Sequence, residues 1–418
     1  MYDVVFRSAT VVIDGAVGTA DVAVRDGRIE RVAPSIGSPA AVEVPCEGLA
    51  LLPGAVDLHV HLRDPGLTHK EDLASGTAAA VAAGVTTVLD MPNTRPPTVT
   101  AAALADKVET ARRTAACDVR FFMALTRDNL DEVERAASIP GFAGVKVFLG
   151  STTGDILLEG TAAIERALDR VPALFAFHAE LESVLAAHRG DAGPEPDASS
   201  HHVLRPAEAV AEGARAVLAL ARPGRRLHLC HLSAAAEIEL LAARAPGLTS
   251  EVSPHHLWLT CDDAPRLGNL IKVNPPVRTP ADRDALRAAL AAGTIDAVAT
   301  DHAPHTIDEK ALPYPAAPSG VPGLDTLVPA VLRLVQVGAL SLPRAVSALC
   351  EAPARVASLP GKGRVAEGAD ADLALWDLAG TWTPSAATVR TRCRWTPFEG
   401  IPLASRPVGV WVAGRRVA

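Results

Sequence analysis

The stretch Val56-Asp-Leu-His-Val-His-Leu-Arg-Asp-Pro65 places His59 and His61 two residues apart, directly after the apolar run Leu49-Ala-Leu-Leu-Pro-Gly-Ala-Val56. That run predicts a buried strand. Strand side chains alternate faces, so both imidazoles point the same way and can close on one metal ion. Arg63 follows on the same side, so a dication and a guanidinium would flank an anionic ligand. The alternative is a strand showing two polar residues to solvent. The apolar run argues against it, because buried paired histidines without a ligand would be costly.

Working outward, 418 residues suit a large barrel with an appended domain better than one small domain. Hydrophobic residues make up 49% of the chain and aromatics 4%, so the core must consist of Ala, Val and Leu. With a net charge of -8 and no Lys/Arg run, nucleic acid and anionic membranes are not expected partners. A small-molecule substrate is. No apolar stretch approaches the ~20 residues that cross a bilayer, and Met1-Tyr-Asp-Val-Val-Phe-Arg7 is not a secretory leader, so a cytoplasmic location is expected. Six scattered cysteines without a C-x-x-C pair argue against a disulfide scaffold. Cys230, beside His231, reads first as a small core residue.

Both ends of the chain have the texture of short strands. Residues 1–52 hold Val4-Val-Phe6, Ala9-Thr-Val-Val-Ile13 and a hairpin signal at Asp26-Gly27; residues 359–418 hold Ala371-Asp-Leu-Ala-Leu-Trp376 and Pro407-Val-Gly-Val-Trp-Val412. Neither end alone buries a face, so together they are expected to form one small β-sandwich. Between them, residues 53–358 alternate apolar β-branched segments (near 50–61, 85–91, 119–125, 142–149, 173–179, 226–232, 248–253 and 295–300) with Ala-rich amphipathic helices. Eight strand–helix units predict an α/β fold of the (β/α)₈ TIM-barrel type.

Barrel chemistry sits at the carboxyl ends of the strands, where His59, His61, Lys146, His178, His231 and Asp301 fall. Lys146 in Gly144-Val-Lys-Val-Phe148 has apolar neighbours, and a buried unpaired ammonium is strongly disfavoured. Carbamylation by carbon dioxide would make it a carboxylate able to bridge two cations. His178 and His231 would singly be core histidines; their shared placement favours ligation. Asp301 at a strand end needs a compensating cation, and beside a metal it can act as general base and then acid. His69, His188, His201, His202, His228, His255 and His256 lack this strand-end placement and read as structural, and His302 reads at most as a support behind the ligands.

His59-x-His61, Lys146, His178, His231 and Asp301 in this order resemble the binuclear amidohydrolase superfamily. His59-Val-His-Leu-Arg-Asp-Pro-Gly66, Asp90-Met-Pro-Asn-Thr-Arg-Pro-Pro97, Glu251-Val-Ser-Pro-His-His-Leu257, Asn274-Pro-Pro-Val-Arg278, Asp301-His-Ala-Pro-His305, Gly320-Val-Pro-Gly-Leu324 and Trp395-Thr-Pro-Phe-Glu-Gly400 are similar to the dihydroorotase family within it. The resemblance covers residues from near 50 to 400. It implies reversible cyclisation of N-carbamoyl-L-aspartate to L-dihydroorotate in pyrimidine biosynthesis, by a metal-bridging hydroxide with Asp301 as proton shuttle. It implies two divalent ions, zinc by expectation, one on His59, His61, carbamylated Lys146 and Asp301, the other on the same bridge with His178 and His231. It assigns the substrate carboxylate to Arg63, Asn93 and His305, and further substrate contacts to Asn274, Pro322 and Gly323. It marks Thr152 and Thr153 as a lid, and Cys230 with Glu251 as positions that hold an additional metal in some members. A homo-oligomer and association with aspartate carbamoyltransferase are family expectations. Hydantoinases, dihydropyrimidinases and allantoinases are the alternative within the fold, distinguished by Arg63 with Asn93. A non-catalytic scaffold is the alternative outside it, disfavoured because every ligand position is kept.

Overall fold

The computed structural model describes the chain except for residues 152–155, 159, 243 and 244. The proposed lid residues Thr152 and Thr153 lie outside the described residues.

Eight parallel strands follow one another in chain order: Ala55–Val60, Val85–Asp90, Asp118–Ala124, Phe142–Phe148, Leu174–His178, Arg226–Leu232, Leu248–Val252 and Ala297–Val298. Their residues are buried on both faces almost throughout, which is why they read as continuous apolar runs. The ring closes between the last strand and the first. A parallel bridge joins Val60 to His302, the His61 N–H donates to the His302 carbonyl at 2.7 Å, and the buried Asp57 carboxylate accepts from the Thr300 N–H at 3.0 Å and lies 2.6 Å from the Thr300 hydroxyl. Alternation divides the side chains between two cores. On the third strand, Phe121 and Met123 pack outward with the helices, whereas Phe122 joins Leu58, Leu89, Leu174 and Ala297 inside the barrel.

The helices are held by local signals. Thr100 caps Ala101–Thr114 by accepting from the Ala103 N–H, and Pro280–Ala292 begins with a Thr279/Asp282 capping box and stops at Gly293 in the left-handed region. Small residues let them lie close to the strand ends: a Cβ on Gly213, in Ala207–Ala219, would meet the Ala179 carbonyl at 1.8 Å.

The two termini meet as one smaller unit. Gly409–Val412, Leu373–Trp376, Ala50–Pro53, Tyr2–Ile13, Ala16–Arg25 and Arg28–Ala33 are hydrogen-bonded in that order, with Ala40–Pro45 added on Tyr2–Ile13 and Arg415–Arg416 at the far edge. The strands thus belong to one continuous sheet that wraps around its own core of Phe6, Val22, Leu51, Leu373 and Trp411, where the Phe6 and Trp411 rings meet edge-on at 4.8 Å. It bends where the Tyr2–Ile13 register shifts between Phe6 and Ala9.

Candidate active site

At the carboxyl ends of the barrel strands lies a partly open cavity lined by His59, His61, Arg63, Asn93, Lys146, Phe148, His178, His231, Asn274, Asp301, Ala303, Ser319 and Gly320. Two groups of donors converge there. His61 Nε2 and His59 Nε2 lie 3.1 and 3.4 Å from the same Asp301 oxygen. Across the cavity, His178 Nδ1 and His231 Nε2 stand 3.0 Å apart. The fully buried Lys146 reaches Cys230 Sγ at 3.0 Å.

The far side of three imidazoles faces an acceptor, hydrogen-bonded at His59 and His61 and in ion-pair contact at His178. His59 Nδ1 meets Glu251 at 2.8 Å, His61 Nδ1 meets the Asn93 side-chain oxygen at 2.6 Å, and His178 Nε2 lies 3.0 Å from Glu180. Each contact favours a proton on the outer nitrogen and leaves the inner lone pair toward the cavity. Burial keeps the histidines neutral: it pushes all four below the usual imidazole range, helped at His59 by Lys146 and at His231 by His178. Burial alone would raise the Glu180 carboxyl, but Arg205 and His178 outweigh it and hold it below the usual range. Neutral imidazoles with inward lone pairs beside a carboxylate suit a divalent cation. The buried His231 Nδ1 has no hydrogen-bond partner among the described residues.

Beside this cluster is a cationic wall. Arg63 is almost fully buried, and its Nε donates to the Pro304 carbonyl at 3.2 Å. Burial lowers its pKa to about 10, so it stays charged at neutral pH. Asn93 spends its oxygen on His61 Nδ1, which turns its amide N–H groups to other acceptors.

All six proposed metal residues, with Arg63, Asn93 and Asn274, line the one cavity. His305 stands next to them, its Nε2 3.2 Å from Arg63 Nη2 and 3.2 Å from the carbonyl of Ser319, which lines the same cavity. Gly323 is further back, its N–H donating to His302 Nδ1 at 3.1 Å, and Pro322 is its chain neighbour. Reading the sequence alone missed several supports. Glu180 follows His178 by two residues in Phe-His-Ala-Glu, a same-face spacing that could have revealed it. His228 holds Glu251 at 3.0 Å, and His201 Nε2 meets the Asn274 side-chain oxygen at 2.9 Å. His201 had no local signal, since only the fold brings it to Asn274.

The chain belongs to the amidohydrolase family, whose sequence profile matches residues 50–417. Its curated relatives in that family include the dihydroorotases of Halobacterium salinarum, 39% identical over 95% of this chain and 92% of the relative, and Streptomyces coelicolor, 36% identical over 97% and 94%. Similar solved structures are the L-hydantoinase of Arthrobacter aurescens, with a TM-score of 0.95 and 28% identity over 100% of this chain and 96% of that one, and the dihydropyrimidinase of Brevibacillus agri, with a TM-score of 0.91 and 26% identity over 100% and 95%. Among the described residues no helix is long and apolar enough to cross a membrane.

Proposed function

We propose that this metal-dependent amidohydrolase is a dihydroorotase, interconverting L-dihydroorotate plus water and N-carbamoyl-L-aspartate. The observation that carries the reading is the position of Arg63 and Asn93 on the wall of the histidine-lined cavity. The hydantoinase likeness is one of fold at lower identity, whereas the dihydroorotase likeness extends over nearly the whole chain at higher identity.

Two divalent ions, zinc by family expectation, would be held by His59, His61 and Asp301 on one side and by His178 and His231 on the other, with Lys146 as a carbamate serving both sets. Supporting the carbamate is the placement of a fully buried amine among neutral imidazoles, with the Cys230 sulfur but no carboxylate as a partner among the described residues. Such cations supply Lewis acidity, polarising the ring amide carbonyl and acidifying water. The chain's own residues do the rest. Arg63 grips the ring carboxylate with a planar fork and Asn93 adds an amide donor, fixing the ring against the cavity wall. Asp301 takes a proton from the attacking water as its oxygen bonds to the carbonyl carbon; the carbon–nitrogen bond then breaks and Asp301 returns the proton to the departing nitrogen. Ring closure runs the same steps backwards.

Purified protein assayed with dihydroorotate, hydantoin and allantoin, with metal measured on the same sample, tests the reading. Dihydroorotate should be turned over far faster than the uncharged rings, chelator should abolish the activity, and Lys146→Ala should lose both metal and turnover. Preference for an uncharged hydantoin would move the assignment to that branch of the family.

A further inference from the structure

Lys70 lies in His69-Lys-Glu-Asp72, just before the first barrel helix, Leu73–Ala82, and the mechanism above gives it no task. Its side chain is nearly buried. The ammonium stands 3.0 Å from His305 Nδ1 and 2.9 Å from Glu309 Oε1. An ammonium can only donate, so His305 Nδ1 must be the acceptor and the ring proton must sit on Nε2. That nitrogen has a matching acceptor, the Ser319 carbonyl at 3.2 Å. A doubly protonated ring is opposed by its surroundings: burial, then Arg63, Lys70 and Lys310, hold His305 far below the usual imidazole range.

The tautomer has a consequence for Arg63. Its Nη2 lies 3.2 Å from His305 Nε2, but a nitrogen that carries a proton offers that guanidinium no lone pair. Arg63 Nε is already engaged by Pro304, so the terminal nitrogens of the fork keep no acceptor among the described residues. In the opposite tautomer Nε2 would accept from Arg63 and occupy part of the fork, while an Nδ1–H would press against the Lys70 ammonium. Glu309 neutralises Lys70, which lets a second cation stand this close to Arg63.

We propose that Lys70 is a positioning residue for substrate recognition: by donating to His305 Nδ1 it locks the Nε2–H tautomer and keeps the Arg63 fork open for a carboxylate. Naming the ligand as the ring carboxylate rests on the function proposed above; the tautomer lock does not.

The test uses the full-length, metal-loaded protein with ¹⁵N-labelled histidine, the His305 signals being assigned by their loss in His305→Gln. Wild type should show the proton on Nε2 and a bare Nδ1. In Lys70→Met the Nδ1–H form should appear, KM for dihydroorotate should rise roughly tenfold, the size of losing one charge-assisted contact, and kcat should change little. Lys70→Arg, which keeps a charged donor, should restore most of both. An Nδ1 proton on wild-type His305 would overturn the proposal, even if Lys70→Met fails to fold. So would a Lys70→Met protein with an unchanged tautomer, or one that loses kcat at unchanged KM. Absence of wild-type turnover on dihydroorotate would sink the functional reading, yet the tautomer measurement would still decide the role of Lys70.

Discussion

Arg63, His231 and Asp301 have φ of 63°, 38° and 46°, in the left-handed region that non-glycine residues rarely adopt. All three line the cavity at the end of a barrel strand. Such strain clusters where a fixed scaffold must re-aim a side chain, and here it turns the guanidinium, an imidazole and the carboxylate inward. The residue that separates recognition from chemistry is Arg63. Arg63→Met keeps the apolar stem and touches no proposed metal ligand, so metal content should stay at the wild-type level. The loss of a charge-assisted contact, about 1.5–3 kcal/mol, predicts a fall in kcat/KM for dihydroorotate of roughly 10- to 150-fold. Steady-state kinetics with metal analysis on the same preparation checks it; unchanged kcat/KM would remove Arg63 from the substrate site.

At the scale of elements, the distance between neighbouring strands sets where Lys146 stands relative to His178. Phe142–Phe148 and Leu174–His178 pair in parallel with Lys146 opposite Ala176 and Phe148 opposite His178. Gly144, two residues before Lys146, lets the strands meet: a Cβ there would lie 2.4 Å from the Leu174 carbonyl oxygen. Backbone cannot give way as a flexible side chain can, so Gly144→Ala must separate the strands or shift the register. A destabilisation of about 1–3 kcal/mol is expected, as for other overpacked sites. Because the displaced strand carries Lys146, metal content should fall as well. Denaturant titration and metal analysis of Gly144→Ala test both, and a variant with native stability and native metal would show that the strand spacing is not under this constraint.

For the whole molecule, the terminal sheet is tied to the barrel by Lys362. Its ammonium lies 2.6 Å from Asp372, next to the Leu373–Trp376 strand, 3.7 Å from Asp370 and 3.6 Å from Asp118 on the third barrel strand. Burial opposes its charge, but these aspartates outweigh it, Asp372 first, and raise its pKa above the ordinary 10.5. A cation whose folded pKa is raised contributes fully below the unfolded value and fades as pH rises through the folded one. The stability gap between wild type and Lys362→Met should therefore be constant from pH 7 to 10 and shrink above 10.5. Leaving the nearly buried Asp372 without its cation should cost about 3 kcal/mol, the low end for a broken buried pair because some solvent reaches the lysine. Unfolding curves across that pH range decide it, and a gap that widens with alkali would contradict the sign. The barrel itself was legible in the chain because eight strands buried on both faces must be continuous apolar runs, and its parallel order follows from the intervening helices. The strand-end histidines, Lys146 and Asp301 stood out for the same reason: polar residues closing apolar runs need partners. Local pattern also announced that the two termini are β-structured. What the tertiary structure alone decided were contacts made across long separations. These are the order in which the terminal strands pair within their common sheet, and the approach of His305 to Arg63, of His201 to Asn274 and of Lys70 to His305. Periodicity reports which face of an element is buried, but which partner waits there depends on how elements far apart in sequence pack, and no local pattern encodes that.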